Sequence, residues 1–589
     1  MLLKITSALL TIASLSLPVS TAPVKFDEGL SLVILHNNDM HGRFEETARN
    51  SGTCQPKKKN LCVGGFARTA EVIRNFRQAA DAGTSPPVLY LNAGDTFTGT
   101  SWFSVFTWNI SSAFVNALKP DVVALGNHEF DLTPQNLAKF VNAVNAPFVA
   151  ANLDMTNETV LSKVQKSVVL QIQGYQVGVV GYLTPETVKI SLVGNVKFQD
   201  EVEAIRKEAQ KLTDEGVDII IALGHSGYEM DKRIAKEVAE VDIVVGGHTN
   251  TFLWNGEQPD AEAIEGPYPK IMTQASGKKV PVVQAYAYTK YLGVLNVTFD
   301  TTGKLVELSG QPLFLDSSVN QQPDVLELLE VYRPAIDELN NEKVGVSKVT
   351  LDGSSSVCRQ QECNLGNLAA DIHVSYVASV STDRWTNAPI GIYNGGGIRN
   401  TIIPDENSNE VTRGDLLGSF PFGNQVIVIT LNGSDLLYAL EQMVRSQGET
   451  SGGEFPQVSG LRLVLDMSEP PYSRVKEVRV RCGLCDIPSY DLLDVKKNYT
   501  LVTSSFLSEG GDGITTFKEK AMNKKVQDLG DLDMIVWYFN NYSPLYPEIQ
   551  DRIVFVNKGS KSAGVKSKDS FTTVIIGLII SQLLWRLGT

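Results

Sequence analysis

An α/β protein built from two large domains is the fold class the sequence predicts, and three observations predict it. The chain has 589 residues, more than one hydrophobic core ordinarily organises, so it divides into at least two domains. From Leu32 to about Tyr291, short β-branched runs alternate with amphipathic helical stretches, which is the order of a layered α/β domain. Past about residue 344, strands and helices mix with more Gly and Ser turns, and no internal repeat links the two halves.

The predicted strands lie at 32–35, 88–91, 122–125, 177–180, 219–222 and 241–245. They are apolar without polar alternation, as strands buried on both faces should be. Helical periodicity falls between them, for example over 66–80 and over 201–212, the latter stopping ahead of Gly216. Val325, Leu326, Leu328, Leu329, Val331 and Tyr332 recur at helical spacing amid charges, with no strand run nearby, and predict a linking helix over 323–343. The first domain then spans 29–322 and the second 344–556.

Both ends carry address signals. A short head with Lys4, an apolar stretch over 5–17 and small residues at 19–22 have the layout of a secretory signal over 1–22. Over 557–589, small residues at 559–564, a polar spacer to Ser570 and an apolar run over 571–584 read as the signal for a glycosylphosphatidylinositol anchor. A single membrane-spanning helix is the alternative, but its apolar run falls short of the roughly 20 residues a span needs. The expected location is the extracellular face of the cell membrane, held to its outer leaflet by the lipid, with free secretion as the alternative.

Six cysteines suit that setting and form three close pairs in sequence, Cys54/Cys62, Cys358/Cys363 and Cys482/Cys485. Proximity favours pairing within each, and in an exported chain Cys482-Gly-Leu-Cys485 reads as a structural disulfide rather than a redox or zinc motif. Asn-x-Ser/Thr acceptors at Asn109, Asn157, Asn296, Asn432, Asn498 and Asn541 agree with export. The net charge is −14. With no basic patch beyond the short run Lys57-Lys58-Lys59, which reads as a solvated loop, a nucleic-acid partner is not expected.

The polar residues that follow the apolar runs of the first domain are of one kind. They are Asp39 and His41, then Asp95, then Asn127, His128 and Asp131, then His225, then His248. Ligands in α/β sheets gather at the carboxyl ends of strands, so these groups would share one crevice. Oxygen and imidazole donors together suit zinc, manganese or iron better than calcium. One carboxylate shared between two cations makes a two-metal site, which activates water and screens the charge of a phosphoryl group under attack. A single His after a strand is most often a hydrogen-bonded structural residue. Here four of the six histidines hold that position; the other two, His36 and His373, read as structural.

The order Asp-x-His, Gly-Asp, Gly-Asn-His-Glu, Gly-His, Gly-Gly-His resembles the calcineurin-like metallophosphatases, and its spacing resembles the 5′-nucleotidase family within them, over nearly the whole exported chain. The resemblance implies a four-layer α/β/β/α catalytic domain, a linking helix and an α+β second domain that binds the nucleotide. It implies that Asp39 and His41 bind one divalent ion, that Asp95 bridges two, and that Asn127, His225 and His248 complete the second site, zinc being the family's metal. Asn250 would be a further ligand or phosphate contact, and His128 with Asp131 the catalytic dyad.

In the second domain the resemblance rests on Arg359 between two cysteines, Asn394-Gly-Gly-Gly-Ile-Arg399, Phe422, Phe506 and Gly510-Gly-Asp512-Gly513. It implies arginines on phosphate, Phe422 and Phe506 on either side of the base, and Asp512 on the ribose. Read alone, the glycine run is only a turn and the phenylalanines are core. The implied activity is that of an extracellular 5′-nucleotidase converting AMP to adenosine and phosphate, with a homodimer formed through the second domain. An apyrase of the same family, a cyclic phosphodiesterase with nucleotidase activity and a non-catalytic surface receptor on the same fold are the alternatives.

Overall fold

The computed structural model describes residues 29–49, 54, 60–382, 384–447 and 452–557. The secretory signal, the Lys57–Lys59 run and the anchor tail beyond residue 557 lie outside the described residues. Among those described, no helix is long and apolar enough to cross a membrane.

Two sheets form the centre of the first domain. In the first, neighbouring strands follow the order Leu305–Gly310, Tyr291–Phe299, Leu30–Asn37, Val88–Asn92, Val122–Ala124 and Phe148–Val149. The second runs Lys270–Thr273, Lys279–Val283, Ile243–Val245, Ile219–His225, Tyr175–Leu183 and Ser167–Ile172. The strands from Leu30–Asn37 to Phe148–Val149 are mutually parallel, as are those from Lys279–Val283 to Tyr175–Leu183, so in each set the carboxyl ends share one edge.

Side-chain direction alternates along a strand, and here both faces are apolar. Leu32, Ile34, Leu89, Leu91, Val122 and Ala124 meet Ile219, Ile221, Leu223, Ile243 and Val245 between the sheets. Val33, Leu35, Tyr90 and Val123 point the other way, onto helices Phe66–Asp81, Trp108–Leu118 and Pro134–Ala143. Ile220, Ala222 and Val244 face helices Glu201–Asp214 and Tyr228–Glu237. The result is a four-layer α/β/β/α domain, and burial on both faces is why its strands read as unbroken apolar runs. Helix Glu201–Asp214 starts where Asp200 accepts a hydrogen bond from the Glu203 amide at 3.0 Å, satisfying a donor the helix leaves free.

Six strands of these two sheet orders escape the sequence pattern: the short parallel Phe148–Val149, and Ser167–Ile172, Lys270–Thr273, Lys279–Val283, Tyr291–Phe299 and Leu305–Gly310. The last five complete the sheets with antiparallel pairings, and Lys279–Val283 also pairs in parallel with Ile243–Val245. Polar residues interrupt most of these segments, so no long apolar run marks them.

The linking helix is Pro323–Asn341, two residues shorter than predicted. Val325, Leu329 and Ile336 join the first domain's outer core. Val331 is 72% exposed; six residues after Val325, it falls off the buried stripe. Beyond it, a five-stranded sheet ordered Pro456–Ser459, Ile390–Asn394, Asn498–Ser504, Gln425–Asn432, Met522–Gly530 and a four-stranded sheet from Tyr490–Leu492 to Ile553–Val556 build the α+β second domain. The three disulfides pair locally.

Ile221→Ala, opening space between the two sheets at a fully buried position, should destabilise by roughly 2–5 kcal/mol. Val331→Ala should change stability by less than about 0.5 kcal/mol. Urea unfolding of both variants tests the assignment, and an equal loss from the two would refute it.

Candidate active site

The loops after the first two parallel strands are zipped together by backbone bonds, Asp39 N to Gly94 O at 3.0 Å, His41 N to Asp95 O at 2.9 Å and Gly42 N to Thr96 O at 2.9 Å. The side chains of Asp39, His41 and Asp95 are thereby delivered to one place. All three residues, with His248 and Asn250, have φ between 48° and 83°, in the left-handed region, a strain proteins keep chiefly at functional sites. Two glycines make the close approach possible. A side chain at Gly126 would collide with Asp95, and one at Gly247 would stand 2.7 Å from His225 Nδ1.

Two groups of ligand-capable atoms result: His41, Asp95 and His128, and Asp95, His225 and His248, each within 4.8 Å of one another. Asp95 belongs to both. Asp39 lies between them, its Oδ1 3.7 Å from His41 Nε2 and 3.6 Å from His225 Nε2. Asn127 Oδ1 is 2.9 Å from His248 Nδ1. Atoms bound to one ion at about 2.0–2.1 Å stand roughly 3 Å apart, so these spacings suit shared cations.

The donor set itself asks for positive charge. Asp39 Oδ1 and Asn250 Oδ1 are buried with no hydrogen-bond partner, and His225 Nε2 stands 2.9 Å from Asp95 Oδ2. His41 Nδ1 lies 3.1 Å from Thr98 O and His225 Nδ1 2.7 Å from Ala93 O. A ring nitrogen that donates to a carbonyl leaves its opposite nitrogen as a lone-pair donor, the usual arrangement of metal-bound histidine. Burial raises Asp39's pKa. Burial alone would depress that of His225, yet the Asp95 and Asp39 carboxylates hold it up to about 10. Carboxylates on two sides thus favour positive charge at that ring. Asp95 itself is held well below the ordinary carboxylate range, against the effect of burial, by His225 and His128. The residues fit divalent metal ions.

His128 Nδ1 is 2.6 Å from Asp131 Oδ2, which also accepts from Thr98 Oγ1 at 2.6 Å, while Ser191 Oγ donates to Asp131 Oδ1 at 3.3 Å. Three groups therefore fix the carboxylate that orients the imidazole. His36 instead bonds Tyr268 within the fold at 2.8 Å, and His373 packs against Tyr393; neither joins the ligand groups.

The second domain reaches this place. Arg399 Nη2 stands 3.2 Å from His41 Nδ1, and its guanidinium lies 5.7 Å from the Phe422 ring centre. Phe422 in turn stacks near His128 at 6.3 Å. Asn394 Nδ2 donates to Asp512 Oδ2 at 2.7 Å, and Phe506 lies against the backbone of Gly511. Arg359 Nε is buried without a partner. Asn250 Nδ2 donates to Tyr288 Oη at 3.4 Å.

Several contributors carried little or no sequence signal. Glu129 accepts from four backbone amides, those of Asp95, Thr96, Phe97 and Gly126, at 2.7–3.2 Å, so one buried carboxylate pins two ligand loops. Its place directly after Asn127-His128 was the only clue. Asn38 bonds Asp39 and the loop at 285–286. Tyr288 is wholly buried, yet Arg399, Arg359 and Arg43 outweigh burial and lower its pKa. Neither Tyr288 nor Arg43 belongs to any motif.

Fold and side chains together define a metal-dependent phosphoester hydrolase, and comparison with known proteins agrees. Residues 32–252 match the calcineurin-like phosphoesterase family and residues 343–519 the 5′-nucleotidase C-terminal domain. "Protein 5NUC" of Lutzomyia longipalpis is 42% identical over 560 residues, covering 93% of this chain and 97% of that protein. The Bos taurus 5′-nucleotidase is 39% identical over 555 residues, 93% and 94% of the two chains. The crystal structure of a 5′-nucleotidase precursor from Thermus thermophilus superposes with a TM-score of 0.81 at 33% identity, covering 90% of this chain and 100% of that one. The chain belongs to the 5′-nucleotidase family.

Glu129→Gln replaces an acceptor of four amides with a group that is half donor. Metal affinity should fall about 10–100-fold with secondary structure unchanged. Titration of chelator-stripped protein against a competing metal indicator measures it, and unaltered affinity would refute the pinning role.

Proposed function

We propose that this protein is an extracellular 5′-nucleotidase that hydrolyses nucleoside 5′-monophosphates, AMP to adenosine and phosphate among them. One observation carries the reading: Arg399 from the second domain stands 3.2 Å from His41 of the ligand cluster. A phosphate gripped by that guanidinium would rest against the metal ligands. The relatives' names support nucleotidase over apyrase chemistry.

In this reading the metal-bearing domain is 29–322, the linking segment 323–343 with its helix Pro323–Asn341, and the nucleotide-binding domain 344–556. Asp39 and His41 would hold one divalent ion and Asn127, His225 and His248 the other, with Asp95 between them and zinc the proposed metal. Bound ions of this kind polarise phosphoryl oxygens and activate water. The chain's own groups do the rest. Asp131 keeps the His128 ring in one orientation, so its free nitrogen can hold or deliver a proton at a phosphate oxygen as charge develops. Arg359 and Arg399 present planar forks that suit phosphate oxygens. Asn250 would add a polar contact behind the metals. Phe422 and Phe506 offer ring faces to the base, and Asp512, held by Asn394, would accept from the ribose hydroxyls. The three disulfides support an oxidising, extracellular setting. A lipid anchor at the C-terminal tail and a homodimer through the second domain complete the proposal.

Purified protein given AMP, ADP and ATP separately should release phosphate fastest from AMP; no release from AMP would end this reading. His128→Ala should lower kcat by about 10²–10⁴-fold with metal content retained, and unchanged turnover would remove the dyad assignment.

Burial, and next the Glu454 carboxylate, push Asp512 up to about 6. The accepting, ionised form is therefore lost as pH falls through that value. KM for AMP should rise below about pH 6, whereas Asp512→Asn should have a raised KM that no longer responds to this acid range. A matching acid rise in both proteins would contradict the assignment.

A further inference from the structure

We propose that the second domain holds a second ligand site, in a cavity apart from the metal centre, for a small anion that carries a planar ring, the chemistry of a nucleoside phosphate. The cavity has a volume of about 530 Å³, within the roughly 300–1,000 Å³ usual for small-molecule sites. Helices Asn364–Ser379 and Asp531–Tyr542 wall one side, and strands Leu461–Asp466 and Val475–Arg481 the other. None of the residues assigned to nucleotide hydrolysis lines it.

Charge and ring faces are arranged together here. Arg481 lies 5.1 Å from the Trp385 ring centre and Arg462 lies 4.6 Å from that of Tyr490. A guanidinium stacked by its face keeps its N–H edge for an acceptor. Arg481 Nη2 donates to Pro389 O at 2.9 Å and Ser459 Oγ at 3.2 Å, but its Nε is buried with no partner. Neither Arg462 nor Arg481 pairs with an acid among the described residues. The third arginine of the cavity, Arg552, is neutralised by two bonds to Asp371 at 2.9 and 2.7 Å. Two uncompensated positive charges thus face one cavity in a chain of net charge −14. Tyr538 and Tyr542, stacked at 4.5 Å, supply ring surface on the opposite wall. An inorganic anion would satisfy the arginines and leave that volume and those rings unused.

The place is also connected to the catalytic cleft. Arg481 grips Pro389, the residue before strand Ile390–Asn394, and Asn394 at the strand's other end holds Asp512. At about 3.3 Å per residue, the two sites stand roughly 15 Å apart along one strand.

Calorimetric titration of the metal-loaded protein with a hydrolysis-resistant, methylene-bridged ADP analogue tests the proposal. Two equivalents per chain are expected for the wild type and one for Arg462→Ala/Arg481→Ala, with kcat and KM for AMP unchanged in Arg462→Ala. Arg462→Ala alone breaks no hydrogen bond of the fold; it should weaken the second equivalent at least tenfold, and it keeps the test open if the double variant fails to fold. Trp385 fluorescence should respond to the second equivalent only. Inorganic phosphate or adenosine alone should bind there at least tenfold more weakly than the analogue; equal binding by phosphate would overturn the ring requirement. A single wild-type equivalent that survives in the variants overturns the site. So does an unchanged pair of equivalents accompanied by a shift in oligomeric mass on light scattering, which would make this face an interface between copies. A single wild-type equivalent that the variants abolish would instead uphold this site and count against the nucleotidase reading.

Discussion

Two carboxylates buried where parallel strands end are the constraint on which the rest of this structure depends. Asp39 and Asp95 are 1% and 2% exposed, and removing such charges from water costs several kcal/mol each unless opposite charge and hydrogen bonds replace it. Part of the replacement is internal. The His248 amide bonds Asp39, the His128 amide bonds Asp95, and Asn38 braces the first of them. What remains unpartnered, Asp39 Oδ1, lies 3.6 Å from His225 Nε2, the ring nitrogen that also meets Asp95. Cations complete that balance, and the left-handed backbone at residues 39, 41, 95 and 248 is the conformational cost of converging on them.

The boundary between the domains presents the opposite imbalance. Arg43, Arg359 and Arg399 crowd one phenol, Tyr288, and shift it toward ionisation in spite of its burial. Like charges held together in a buried cleft call for an anion. Arg43 ties the halves directly, donating to His41 O and Gly99 O on one side and to Asn400 on the other. Asn400 answers with a bond to Gly99 O at 2.8 Å. A cation-seeking cluster and an anion-seeking cluster therefore face each other across the domain boundary. A phosphoester's negative charge complements both.

Much of this was readable from the chain. The buried parallel strands announced themselves as apolar runs because both faces pack, Val33 and Leu35 outward and Leu32 and Ile34 inward. Strands with interrupted patterns, such as Leu305–Gly310, did not, since a half-polar strand resembles a loop in composition. The cluster of His41, Asp95, His225 and His248 was legible because each follows such a run. Tyr288 was not, as its importance comes only from three arginines that lie far from it in sequence. Glu129 stood in plain view beside His128, but nothing in a carboxylate's identity tells how many amides it will meet.

The sequence by itself determined the layering, the local disulfides and the kind of chemistry, because periodicity, short spacing and residue type are properties of neighbours along the chain. Only the tertiary structure decided that Arg399 meets His41, and that Arg462 and Arg481 share a ring-lined cavity without an acid partner among the described residues. These are distances between residues up to several hundred positions apart. They are set by how sheets pack and domains close, and no local pattern encodes them.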